Sequence, residues 1–96
     1  MSGQSLISPD VLATYAADSA REVVGVGEVP GKAVKVTRED GRVGVELHLS
    51  LEWGANAGTV GADVQAHVAD CLARMADVRP DTVDVIVDEW RSASPA

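Results

Sequence analysis

Val43-Gly44-Val45-Glu46-Leu47-His48-Leu49-Ser50-Leu51-Glu52-Trp53 alternates without a break: odd positions are apolar, even positions are small, polar or charged. In an extended chain successive side chains point to opposite faces, so this stretch is a ribbon with one apolar and one wet side. A helical period of 3.6 would scatter the same residues around a whole circumference. The stretch is a half-buried strand, and the rest of the chain has to cover its apolar side.

Upstream, Lys32 to Arg38 reads as a short strand with Val34 and Val36 on the apolar side. The turn Glu39-Asp40-Gly41-Arg42 joins the two strands. Asp-Gly favours a two-residue hairpin because both positions accept positive φ, so the strands pair antiparallel. Before them, Ser8-Pro9-Asp10 starts a helix with a capping hydroxyl, a proline at the first helical position and an acid near the positive end of the dipole. That helix is expected over residues 9–24, with Val11, Leu12, Tyr15, Ala16, Ser19 and Val23 inward and Thr14, Ala17, Asp18 and Arg21 outward. The glycines and proline of Gly25–Gly31 predict a connecting loop that breaks any ladder.

Downstream, Thr59 is the expected cap of a second helix with an apolar stripe of Val60, Val64, Val68, Cys71, Leu72 and Met75. Arg79-Pro80-Asp81 closes it. A last strand runs from Thr82 to about Trp90, with Val83, Val85 and Val87 on one face and Asp84, Ile86, Asp88 and Trp90 on the other. The order α-β-β-α-β predicts an α+β two-layer sandwich, a three-stranded mixed sheet with two helices on one face. Its last strand is expected parallel to the long one. Residues 1–6 and 91–96 are expected as tails around one domain spanning 7–90.

Ninety-six residues suffice for one core, burying roughly two-thirds of the unfolded surface. With 15 acidic and 8 basic residues the net charge is −7, which repels phosphate backbones and anionic headgroups. A single cysteine, Cys71, allows no disulfide within the chain. The first residues lack the basic and apolar regions of a signal peptide, and no apolar run approaches the ~20 residues of a membrane span. These features set the expectation of a soluble, cytoplasmic protein without direct membrane insertion.

Three stretches together resemble the alkaline shock protein family, also called the envelope stress response family. They are Ile7-Ser8-Pro9-Asp10-Val11-Leu12 leading to Glu22-Val23-Val24-Gly25-Val26; Leu51-Glu52-Trp53-Gly54-Ala55-Asn56 followed by Val60, Val64-Gln65 and Val68; and Val83-Asp84-Val85-Ile86-Val87. Trp53 replaces the family's usual tyrosine, Asp84 an asparagine, and Ala76-Asp77 a glycine after the second helix. The resemblance implies a non-catalytic protein of Gram-positive-type bacteria acting in envelope homeostasis and stress tolerance. It implies a protein partner, an integral membrane protein that would hold the chain near the membrane, or a second copy of the chain.

Chemistry-bearing patterns are few. His67 and Cys71 are four apart on the second helix, with Asp63 and Asp70 nearby, but a zinc site needs three or four ligands. Cys71 falls in the apolar stripe and reads as a structural thiol. As nucleophile and base the pair lacks an orienting third group. Gly25–Lys32 departs from a phosphate loop in spacing, lacks the hydroxyl that would hold magnesium, and follows a helix rather than a strand. No catalytic, cofactor-binding or metal-binding residue is assigned.

The order of elements also resembles small nucleic-acid-binding modules of the KH type, and Lys32, Lys35, Arg38 and Arg42 gather at the hairpin. Such modules clamp the backbone with a Gly-x-x-Gly between two helices; this chain has no helix pair around a Gly-x-x-Gly, few basic residues and a charge unfavourable to nucleic acid. The surface singled out is the wet face of the sheet, with Glu46, His48, Ser50 and Glu52 from the long strand and Asp84, Ile86, Asp88 and Trp90 from the last. Tryptophan and isoleucine rimmed by polar groups suit a protein interface, and His48 among carboxylates suits a pH-dependent one.

Overall fold

The structure, a computed structural model, describes residues 8–30 and 33–91. Its elements are α1 (Pro9–Arg21), β1 (Val34–Glu39), β2 (Arg42–Glu52), α2 (Ala57–Ala76) and β3 (Thr82–Arg91). The expected tails at 1–6 and 92–96 lie outside the described residues, while Arg91, assigned to the tail, closes β3.

β2 is the central strand, antiparallel to β1 and parallel to β3. Asp40 and Gly41 take φ of 51° and 78°, as a two-residue hairpin requires. The odd residues of β2 form the floor of the core: Val45, Leu47, Leu49 and Leu51 are at most 1% exposed. Each such burial contributes about 1.5–3 kcal/mol. Above them α2 lays down Val60, Val64, Val68 and Leu72, and α1 lays down Leu12, Ala16, Ala17 and Ala20. Both helices thus cover one face of the sheet.

α1 is capped by Ser8, whose Oγ accepts from the Val11 N–H at 3.2 Å. It stops at Arg21, three residues earlier than expected, and Val24 is left 88% exposed. Ala17, expected outward, is buried, whereas Val11 is 41% exposed. Alanine gains little from burial but lets the two helices approach closely, so the inward face turns toward the alanines. Arg21 ties the helix end down, donating to Asp18 Oδ1 at 2.8 Å and to the Val29 carbonyl at 2.6 Å.

The segment after α1 is more than a connector. Glu52 N–H bonds the Gly25 carbonyl, Gly27 N–H the Ser50 carbonyl, and Ser50 N–H the Glu28 carbonyl. It thereby pairs with the part of β2 that β1 does not reach. Glycine at 27 permits this, since a Cβ there would stand 2.7 Å from Ser50 Oγ.

α2 begins two residues before the expected cap, with Asn56 in that role; its Oδ1 accepts from Thr59 N–H at 3.0 Å. Asp77 ends the helix in the left-handed conformation, φ 54°. Met75, expected in the buried stripe, is 60% exposed, and Cys71 is half-buried.

Candidate functional face of the sheet

The face away from the helices is built in rows across the three strands. Thr37, Gly44 and Thr82 form one row, and Lys35, Glu46 and Asp84 the next, followed by His48 beside Ile86. The first row is tight around its glycine: a Cβ on Gly44 would stand 3.0 and 3.1 Å from the Thr37 and Thr82 hydroxyls, which would have to give way by a few tenths of an ångström. Asp81 pins this end, accepting from Val43 N–H at 2.8 Å and donating its own N–H to the Val43 carbonyl at 2.7 Å.

His48 is clamped between two strands. Its Nε2 lies 3.0 Å from Glu46 Oε2 on β2, and its Nδ1 lies 3.1 Å from Asp88 Oδ1 on β3. Each ring nitrogen faces its own carboxylate, so both bonds are made only when both nitrogens carry protons. Hydrogen bonds that the ring donates to Asp88 first, then to Glu46, raise the imidazole pKa above its ordinary value. The nitrogens point in different directions, so this trio does not converge on one ion.

β3 bulges at Asp88, the residue that meets His48. Leu49 stands opposite Val87 but Ser50 opposite Glu89, so Asp88 is the extra residue. A bulge reverses the facing of every later residue in the strand. Trp90 consequently stands opposite Leu51, on the helix-facing side, and not beside Ile86 and Asp84 as the plain alternation predicted. It meets Trp53 edge-on, ring centroids 5.9 Å apart at 65°. The pair stays open to solvent, Trp53 at 67% and Trp90 at 41%. Ile86 remains on the open face at 37% exposure, with Asp84 and Asp88 exposed. Ser50 is covered, only 5% exposed, its Oγ accepting from Glu28 N–H at 2.9 Å.

The remaining candidates are dispersed. His67 is exposed, while Cys71 donates its thiol to the Tyr15 carbonyl at 3.7 Å. Among the described residues no group of three or more His, Cys, Asp or Glu is placed to hold a metal. Arg38 and Arg42 at the hairpin are interspersed with Glu39 and Asp40; Lys32 lies outside the described residues. Among the described residues no helix is long and apolar enough to cross a membrane.

A family model, that of the alkaline shock protein 23 family with its cell envelope-related function, matches residues 27–91. No curated protein matches the chain. Among solved structures, the manganese form of a MamM CTD variant superposes with a TM-score of 0.58 at 11% identity, covering 83% of this chain and 96% of that one. A zinc form of another MamM CTD variant gives 0.57 at 9% identity, covering 88% and 86%. At such identities the likeness is one of fold.

Proposed function

The chain belongs to the alkaline shock protein family, and from that premise we propose that it is a non-catalytic adaptor of cell-envelope homeostasis, docking a protein partner. The observation that carries this reading is the exposed Trp53–Trp90 pair. Large aromatics left in solvent at one end of a well-packed sheet have the composition of interface anchors. Both rings stay open although the core beside them is closed, with Leu47, Leu49 and Leu51 at most 1% exposed. Ile86, Asp84, Asp88 and His48 on the open face add a polar surface around a single aliphatic contact. In this reading the protein works without a cofactor, and membrane proximity comes through a membrane-protein partner.

The test is an affinity recovery of the tagged chain from membrane and soluble fractions separately, with nuclease controls. The expected result is an integral membrane protein, insensitive to nuclease, whose recovery falls with Trp53→Ala or Trp90→Ala while the far-UV circular dichroism is unchanged. Recovery of nuclease-sensitive material alone would replace the adaptor reading with a nucleic-acid one.

A further inference from the structure

The two edges of the sheet are guarded differently. The β1 edge carries Lys35 and Arg38, is interrupted at Pro30, and is continued along β2 by Gly25–Glu28. Up to its bulge the β3 edge reads Thr82-Val83-Asp84-Val85-Ile86-Val87, with no lysine, arginine or proline; Arg91, the strand's one basic residue, lies beyond the bulge. Basic residues and proline are those with which proteins commonly close an edge to further pairing.

The pairing settles which backbone groups face outward. Glu39 and Arg42 flank the two-residue turn, so Arg42 and the even residues of β2 direct their N–H and C=O toward β1. Ser50 and Glu52 do the same toward Gly25–Glu28. The odd residues of β2 therefore face β3. In the parallel register Val45↔Val83, their bonds go to the neighbours of Val83, namely Thr82 and Asp84. Val83, Val85 and Val87 are left with their backbone groups on the outer side. Gln65 of α2 agrees with this, donating its Nε2 to the Val83 carbonyl at 2.8 Å. Among the described residues no side chain caps Val85 or Val87 in this way. Their side chains are only half-buried, whereas Val45, Leu47 and Leu49 in the neighbouring strand are closed.

We infer that the outer edge of β3 accepts an extended segment of a partner protein as a fourth strand, one that alternates basic with small apolar side chains. Backbone bonds to Val85 and Val87 would give the pairing, and the apolar side chains would close the open flank of the core. The basic side chains would lie on the open face beside Asp84 and Ile86, within reach of Asp88. Charge selects this occupant over a second copy of the chain. A two-fold antiparallel pairing over Thr82–Val87 would set the two Asp84 side chains opposite or diagonal to one another, between molecules of net charge −7. The bulge at Asp88 ends the regular edge, so the segment pairs over Thr82–Val87. The inference rests on the adaptor reading only in taking the occupant to be a protein.

The test uses the full isotope-labelled chain and three capped octapeptides: alternating lysine and valine, the same peptide N-methylated on alternate amides, and alternating glutamate and valine. The lysine peptide is expected to shift the Val85 and Val87 amide resonances and slow their hydrogen exchange by at least about tenfold. N-methylation is expected to weaken binding about tenfold or more, one or two lost backbone bonds. The glutamate peptide is expected not to bind, and Asp84→Lys to weaken the lysine peptide while preserving the fold. Equal binding of the methylated peptide would overturn the inference in favour of charge alone. Val85 and Val87 amides already protected in the free monomer would overturn it too, the edge then being filled by the chain itself. A concentration-dependent dimer with those amides protected would substitute a second copy. If the peptides fail while Trp53→Ala and Trp90→Ala still lose the membrane partner, the edge inference falls and the adaptor reading stands.

Discussion

The imidazole Nδ1 of His48 stands 3.1 Å from Asp88 Oδ1, joining β2 to β3 where their ladder slips by one residue. The bulge and the ion pair belong together, since the extra residue is the one that supplies the carboxylate. With Glu46 on the other nitrogen, the ring is held by partners that both favour its charged form. Lys35 is the opposing charge nearby, in the row of Glu46.

This clamp gives a pH dependence of definite sign. The folded-state pKa of His48 is raised, Asp88 first and Glu46 second. Its contribution to stability is therefore fully present below the unfolded value of about 6.5 and is lost as pH rises through the folded value. A proton resonance titration should place His48 above about 6.5, and Asp88→Asn should bring it down. Urea midpoints of the parent and His48→Gln should differ more near pH 5.5 than near pH 8.5, to within about a unit of those values. An unchanged difference across that range would mean the clamp contributes nothing to folding.

Much of this face is legible in the sequence. Strict alternation from Val43 to Trp53 assigns His48 and Glu46 to one side, and Asp84, Ile86 and Asp88 obey the same rule. The bulge is not legible, because one extra residue changes pairing and not composition. Its only trace is that Asp88-Glu89 breaks the alternation of β3, and this moves Trp90 to the other face. The pairing of Gly25–Glu28 with β2 is hidden for a related reason. Glycines usually signal a loop, but here Gly27 is needed because the strand passes against Ser50 Oγ.

Asp77 holds φ 54° at the end of α2, a conformation that costs a non-glycine residue about 1–2 kcal/mol. Its ion pair with Arg79 is long, 3.9 Å between well-exposed groups, and offsets little of this. Asp77→Gly should stabilise the protein by about 0.5–1 kcal/mol, the relief of strain being partly offset by a freer unfolded chain. Thermal unfolding should show a midpoint raised by a few degrees. A lowered midpoint would mean that the Asp77 side chain stabilises this turn.

Gly25 is the opposite case. At φ 98° any added Cβ would be strained, and it would stand 2.8 Å from Val60 Cγ2 and 3.3 Å from Ala55 Cβ. Val60 is a core residue at the start of α2, so relief would have to come from the helix backing away. Gly25→Ala should cost about 2–4 kcal/mol, visible as a lower urea midpoint with unchanged slope. The Glu52 N–H bond to the Gly25 carbonyl, 2.8 Å, is the first contact that should loosen, read as faster exchange at Glu52.

Trp53 and Trp90 separate a stabilising role from a binding role. Their edge-on contact at 5.9 Å is of a kind that contributes about 0.5–1.5 kcal/mol beyond burial. Exposure of both rings places it at the low end. Trp53→Ala, Trp90→Ala and the double variant should therefore form a cycle with a coupling below about 1 kcal/mol, and near-ultraviolet circular dichroism should report loss of the pair. If the rings are anchors for a partner, either single variant should lose most of the recovered partner, a loss far larger than so small a destabilisation explains. If they serve only to close the end of the sheet, recovery should track the fraction folded, and raising stability with Asp77→Gly should restore it. A tryptophan that binds cannot be rescued by a better helix cap, so that last combination distinguishes the two roles.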